Sequence, residues 1–290
     1  KYPPELKKQV AKAISQLESF MNKKFGDIKN PLLFSVRSGA CQSMPGMMET
    51  VLNIGLNYQT ANGLIKKTKN PTFVYDSLRR LMMMYSDVVM EKSNSKHTNQ
   101  NGIRTILENL LDERKSIEGC TQDSELSEKA LSTLCGLFEK KIEKRFDVPF
   151  PQNAEEQLWG AIDAVFQSWN GKRAIDYRNI EKIPHSWGTA VNVQCMVFGN
   201  MGEHSATGVA FTRNPSTGEK YFFGEWLRNA QGEDVVAGIR TPRPILNNSQ
   251  DDLKTQMPRA FKKLDDVQKK LEQHYKEMQD LEFTIENNKL

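Results

Sequence analysis

Two places in this 290-residue chain set chemistry-bearing residues at telling spacings. In the first, the apolar run Leu32-Leu33-Phe34-Ser35-Val36 reads as a buried strand that delivers Arg37 and Ser38 into a turn opened by Gly39. The chain then stays irregular through Ser43-Met44-Pro45-Gly46, where a Pro-Gly pair marks a tight turn and glycine lets backbone amides approach a ligand. A guanidinium is always charged and grips two oxygens at once, so an arginine at a strand end beside such a loop suits a phosphate. The competing reading is a structural ion pair beside an ordinary turn. In the second place, Leu281, Phe283 and Ile285 alternate with Asp280, Glu282, Thr284 and Glu286, which projects the carboxylates of 280 and 282 from one face of a strand. Adjacent acids repel unless a cation lies between them, and hard oxygen donors suit Mg2+ carrying nucleotide phosphates. Here the competing reading is the exposed polar face of an edge strand. His97, His185, His204 and His274 are not grouped with cysteine or carboxylates at metal-ligand spacing, and none is assigned to catalysis.

The elements that must position these residues follow from periodicity. Pro3 to Lys24 reads as a helix closed by Gly26-Asp27, with Val10, Ala13, Ile14, Leu17 and Met21 at helical spacing. Helices are expected over 76–90, 103–117 and 127–146, separated by polar loops at 93–102 and 118–125; the run Met82-Met83-Met84 is core filler. Pro149-Phe150-Pro151 makes a boundary, and 154–169 is helical again, with Lys172-Arg173 a charged helix start. Over 189–198 strict alternation places Val191, Val193, Cys195 and Val197 on one face and Ala190, Asn192, Gln194, Met196 and Phe198 on the other. A strand whose second face mixes polar and apolar residues can lie against a planar ligand. With strands at 206–211 and 221–226 it is expected to form an antiparallel meander, and Thr207-Gly208 reads as either a hairpin feature or a phosphate loop. Gly232 suggests a loop holding Glu233, which is either a ribose-binding carboxylate or a capping one. A helix is expected over 260–275.

Composition narrows the classes. Hydrophobic content of 38% and charged content of 26% are ordinary for a soluble globular protein. Forty basic against 36 acidic residues leave only +4, with no aromatic-interleaved basic stripe, which argues against a nucleic-acid partner. Cys41, Cys120, Cys135 and Cys195 are widely spaced without a C-x-x-C pair, pointing to a reducing, cytoplasmic compartment. No apolar run is long enough to span a bilayer. The first residue is Lys1, so a processed or excised piece is expected.

The stretch SVRSGACQSMPGMMETVLNIGLN resembles the signature of the pyruvate phosphate dikinase family, and GTAVNVQCMVFGNMG, TGVAFTRNPSTGEK, NAQGEDVVAG and MQDLEFTIE are similar to further segments of it in the same order. The resemblance implies an α+β fold of ATP-grasp type, two lobes clasping ATP, with 1–56 in the first lobe, 57–151 a helical insertion and 152–290 the second lobe. It implies that Arg37 touches the ATP phosphates and carries catalysis, and that Gly46 and Met48 line the nucleotide cleft. Gln194 and Met196 would meet adenine, Thr207 and Gly208 phosphate, Glu233 the ribose, and Asp280 and Glu282 Mg2+.

The reaction implied turns ATP, inorganic phosphate and pyruvate into AMP, pyrophosphate and phosphoenolpyruvate through a phosphohistidine on another domain of a homodimeric full-length protein. Related water-dependent phosphoenolpyruvate synthases share the VRS start but generally lack Met-Pro-Gly-Met-Met. Departures from the family pattern are Cys41-Gln42, Tyr58-Gln59 and Trp226. A glycine-rich segment with its lysine, a downstream glutamine and arginine, and the phosphohistidine and pyruvate domains are not in these residues. The piece alone is therefore expected to have little activity, and a non-catalytic nucleotide-binding or interaction module is the alternative.

Overall fold

Asn57 shows how sequence fixes an element here. Its side chain accepts the Thr60 N–H at 2.8 Å while the Thr60 hydroxyl accepts the Asn57 N–H at 2.8 Å, a reciprocal cap that starts a helix over Tyr58–Thr68. A computed structural model describes residues 2–92, 102–236, 238 and 240–290, with the side chains of Glu233 and Val236 outside the described set. The chain divides into two compact units, one up to Met196 and one from Val197 onward.

In the first unit, helix α1 (Leu6–Met21) stops at Asn22, whose φ of 50° turns the chain out of the helix before the expected Gly26. Strands β1 (Lys24–Phe25) and β2 (Pro31–Leu32) form a short parallel pair. Strand β3 (Phe34–Ala40) is the centre of an antiparallel sheet between β4 (Thr50–Ile54) and β5 (Thr189–Cys195). Helices α2 (Tyr58–Thr68), α3 (Pro71–Tyr85), α4 (Ile103–Glu118), α5 (Glu128–Phe146), α6 (Ala154–Ser168) and α7 (Lys172–Glu181) complete it. Past Tyr85, α3 continues as a π-helical turn over Ser86–Glu91. Val36, Val51, Ile54, Leu78, Leu81 and Met82 are fully buried, and the Met84 sulfur accepts the Leu52 N–H, so the methionine run fills core as expected. Most of the loop expected at 93–102 lies outside the described residues.

Two expectations are corrected in this unit. Arg37, Ser38 and Gly39 are not in a turn: β3 runs on to Ala40 because β5 pairs along its whole length, from Phe34↔Cys195 to Ala40↔Thr189. A Cβ at Gly39 would stand 2.9 Å from the end of the exposed Asn192 side chain, which can move aside. The alternation read over 189–198 holds only to Cys195; Val197 is 54% exposed and Phe198 6%.

The second unit is a four-stranded antiparallel sheet in the order β8-β7-β6-β9, with β6 (Ala206–Phe211), β7 (Phe223–Arg228), β8 (Arg243–Pro244) and β9 (Asp280–Ile285). Helices α8 (Gly232–Val236), α9 (Leu253–Gln256) and α10 (Pro258–Tyr275) accompany it. One face, Ala206, Ala210, Trp226, Phe283 and Ile285, packs on Leu253, Met257, Ala260 and Leu264 in a single apolar cluster. The three-strand meander expected from 189 to 226 does not form. β5 leaves for β3, roughly 150 residues earlier in the chain, and β6 and β7 pair without it. The loop expected around Glu233 is the five-residue helix α8.

Candidate nucleotide-binding faces

Alternation along β3 sorts its residues into a core face and a polar face. Phe34 and Val36 pair with Cys195 and Val193 on the core side, while Ser35 pairs with Gln194 and Arg37 with Asn192 on the other. Arg37, Asn192 and Gln194 are all exposed on that second face, so the register brings two of the expected residues, Arg37 and Gln194, onto adjacent strands of one surface. Arg37 Nε donates to Ser35 Oγ at 3.4 Å, and among the described residues it forms no ion pair. The structural ion pair that competed with the phosphate reading is therefore not found among those residues. A guanidinium held by one long bond to a hydroxyl keeps most of its donors for an incoming anion. Met196 follows β5 and anchors its end, its N–H donating to Leu33 O at 2.9 Å.

The loop after β3 has one buried side chain between Cys41 and Gly46, that of Met44. It packs with Trp169, Ala174 and Ile183, and Met47 and Met48 lie against the same cluster. Gly46 is exposed at φ 70°, a conformation that L side chains adopt with strain, and it has open space around its Cα. The loop closes at Glu49, whose N–H donates to Ser168 Oγ at 3.2 Å and whose carboxylate holds Lys92 at 3.0 Å and Arg173 at 2.9 Å.

In the second unit the sheet face opposite the apolar cluster carries Thr207, Val209, Glu225, Asp280, Glu282 and Thr284, because Thr207 pairs with Thr284 and Val209 with both Glu282 and Glu225. Thr207 is buried and its hydroxyl donates to Phe283 O at 3.2 Å. Thr207 and Gly208 stand inside β6 and not in a loop. Gly208 faces the core side, where a Cβ would come 2.4 Å from Glu225 O and 2.5 Å from the Phe283 ring, so packing by itself explains that glycine. Glu233 is the second residue of α8; its side chain lies outside the described set.

Asp280 and Glu282 are exposed, two residues apart on one face of β9, and neither pairs with a basic side chain among the described residues. No cluster of three His, Cys, Asp or Glu is found among the described residues. Two carboxylates with free oxygens fit Mg2+, an ion that keeps several waters and completes its shell with substrate phosphates.

Alternation in the sequence already places Asn192 on the face of Gln194, without a role, while Ser35 reads there as part of the apolar run; its i±2 spacing from Arg37 is the signal that could have put it on the polar face. A cavity of about 280 Å3 borders the loop at Met47 and Glu49, and one of about 630 Å3 lies beside α10, lined in part by Lys220, Asp265 and Glu272. Neither contains an expected site residue.

Residues 1–257 match the AMP/ATP-binding domain of pyruvate phosphate dikinase, and the chain belongs to that family. The pyruvate, phosphate dikinase of Clostridium symbiosum is 52% identical over 287 residues, covering 99% of this chain and 31% of that protein. That of Giardia intestinalis is 47% identical over 296 residues, covering 100% and 32%, and dikinase 2 of Zea mays is 47% identical over 288 residues, covering 99% and 31%. The chain thus spans about a third of the length of the curated relatives it matches. Arg37 through Glu233 fall inside the family match; Asp280 and Glu282 lie beyond it, within the stretch aligned to the Giardia protein.

Proposed function

We propose that this chain is the nucleotide-binding part of a pyruvate, phosphate dikinase, an ATP-grasp phosphotransferase that takes ATP and inorganic phosphate and passes a phosphoryl group to a histidine on another domain. AMP and pyrophosphate leave, and pyruvate receives the phosphoryl group to give phosphoenolpyruvate. The observation that carries this reading is Arg37, exposed on the polar face of a central strand with no carboxylate partner among the described residues, inside a matched AMP/ATP-binding domain. Its fork would grip phosphate oxygens, Gly46 and Met48 would line the nucleotide, Gln194 and Met196 would meet the adenine edge, and Thr207, Gly208 and Glu233 would meet phosphate and ribose. Asp280 and Glu282 would hold Mg2+, which when bound neutralises phosphate charge. Residues 57–151, which lie within the first unit, are read as a helical insertion that packs or orients. We assign the protein to the cytoplasm on the spacing of its cysteines, and to a homodimer in its full length. Among the described residues no helix is long and apolar enough to cross a membrane.

Calorimetric titration of the chain with Mg2+ and a non-hydrolysable ATP analogue tests the reading. Binding is expected for the unmodified chain, with affinity lowered about 10- to 100-fold by Arg37→Leu at unchanged melting temperature, the loss of charge-assisted bonds. Absent binding, or full binding by Arg37→Leu, refutes it. The methionine-rich Ser-Met-Pro-Gly-Met-Met loop favours phosphate over water as second acceptor; phosphate-independent AMP formation by the full-length protein would reverse that choice.

A further inference from the structure

Arg178 differs from the other described arginines of the first unit. Carried on α7, it is 1% exposed and forms no ion pair among the described residues. Its partners are neutral: Nη1 donates to Trp169 O at 2.6 Å, Nε donates to His185 Nδ1 at 3.0 Å, and the guanidinium carbon lies 4.0 Å from the centre of the Trp169 ring. Trp169 Nε1 donates in turn to His185 O at 3.1 Å. Arginine has no acceptor, so His185 Nδ1 accepts and the ring proton sits on Nε2, 3.1 Å from Asn179 Oδ1. Removing the guanidinium alone would leave the Trp169 carbonyl at the end of α6 and His185 Nδ1 without this donor, so Arg178 contributes to stability; the stack on Trp169 gives it a second consequence.

The guanidinium stacks on the face of the Trp169 indole while Trp169 Nε1 bonds His185 O, so the stack and that bond together restrict how the ring can turn. Trp169 with Ala174 and Ile183 makes the seat on which Met44 rests. Met44 is the buried anchor of the loop, whose other ties among the described residues are Met47 N–H to Met44 O at 3.1 Å and, at its end, Glu49, bonded to Ser168 Oγ at 3.2 Å and paired with Lys92 and Arg173. We infer that Arg178 is a positioning residue for nucleotide: by fixing Trp169 it sets the seat of Met44, and with it the shape in which the loop presents Gly46 and Met48. The inference rests on the reading of that loop as one that faces nucleotide.

The test uses Arg178→Met, which removes the fork, Arg178→Lys, which keeps the charge, and Met44→Ala, which cuts the other end of the same relay. Each is titrated with Mg2+ and the non-hydrolysable ATP analogue, and hydrogen exchange is followed at residues 41–49 without ligand. All three should bind at least tenfold more weakly than the unmodified chain and exchange at least tenfold faster over 41–49, with β3 unchanged. Lysine does not rescue, because an ammonium reproduces neither the stack nor the paired donors. Variants with lower melting temperature but affinity within twofold of the unmodified chain would show a structural role only and overturn the inference. If Arg178→Met fails to fold, Met44→Ala decides by the same criteria. Failure of the unmodified chain to bind overturns the nucleotide reading and this inference with it; unchanged affinity in the variants overturns this inference alone.

Discussion

At the scale of single residues, the charged side chains divide by whether the fold already uses them. Arg79 is tied to Asp76 and Asp123, Arg145 to Glu91 and Arg213 to Glu272, whereas Arg37, Asp280 and Glu282 have no opposite charge within reach among the described residues. Groups of the second kind are where ligand chemistry should be sought, since the fold gains nothing from them. The double change Asp280→Ala, Glu282→Ala is accordingly expected to leave the melting temperature within about 2 °C, because exposed unpaired carboxylates contribute little to stability. It should remove the Mg2+ dependence of analogue affinity, measured by titration with and without the metal; a retained Mg2+ response would unseat both residues. Gly208 is the opposite case. Its added methyl would meet Glu225 O and the Phe283 ring, so Gly208→Ala should destabilise the second unit by about 2–4 kcal/mol in urea unfolding, whatever it does to phosphate.

Elements were legible where the pattern that makes them is local. The helices α4 to α6 and the strand β9 follow from spacing alone, and so does the alternation of Thr189–Cys195, whereas the helix expected over 76–90 begins earlier, at Pro71, and turns π-helical after Tyr85. Helix α2 escaped because it is weakly apolar, although Asn57 and Thr60 spell its cap. Two-residue strands such as β1 and β8 carry no period to read. The partner of β5 was invisible for a different reason: β3 lies far away in sequence, and pairing over that distance is decided by the folded core and not by neighbours. For the same reason periodicity could place Arg37 and Gln194 on strands but not on one sheet; that they belong to one site was implied only by the family resemblance, and their adjacency through β3 and β5 is what the fold adds. Gly63 offers a sharp test of the same rule. Within α2, Ala should outdo Gly by about 1 kcal/mol on helix propensity, yet a Cβ there would fall 1.7 Å from Ile28 O. Gly63→Ala is expected to cost roughly 2–4 kcal/mol in urea unfolding, and a stabilised variant would mean that the 28–29 segment does not lie on α2.

For the molecule as a whole, the two units should respond alike to acid and differently to alkali. Burial acts to raise the Asp76 carboxyl, but the Arg79 and Arg80 guanidiniums more than reverse this and hold it below its ordinary value. In the second unit burial likewise acts to raise Asp252, and the Thr255 and Asn247 N–H groups reverse it. A carboxyl depressed in the fold stabilises it above the unfolded value near 4 and loses that contribution as pH falls through the folded value, so both units weaken below about pH 4. The raised thiols and tyrosine hydroxyls, in contrast, lie in the first unit, whereas the raised group of the second is the exposed Lys269, held up by its bond to the Asp265 carboxylate. Burial pushes the Cys135 thiol up to about 12, and burial first, then nearby Glu139 or Glu156, raises the Tyr58 and Tyr85 hydroxyls. A group raised in the fold contributes fully below its unfolded value and loses that contribution as pH rises toward the folded one. By pH 11 Cys135 alone should cost the first unit on the order of 3 kcal/mol, from an unfolded value of about 8.5. Pulse proteolysis in urea, with fragments assigned by mass, should therefore show midpoints for residues 2–196 falling between pH 9 and 11 while those for 197–290 hold, and Cys135→Ala should blunt that fall. An equal alkaline loss in both units would mean that the burial of Cys135, Tyr58 and Tyr85 is not what sets the upper pH limit of the fold.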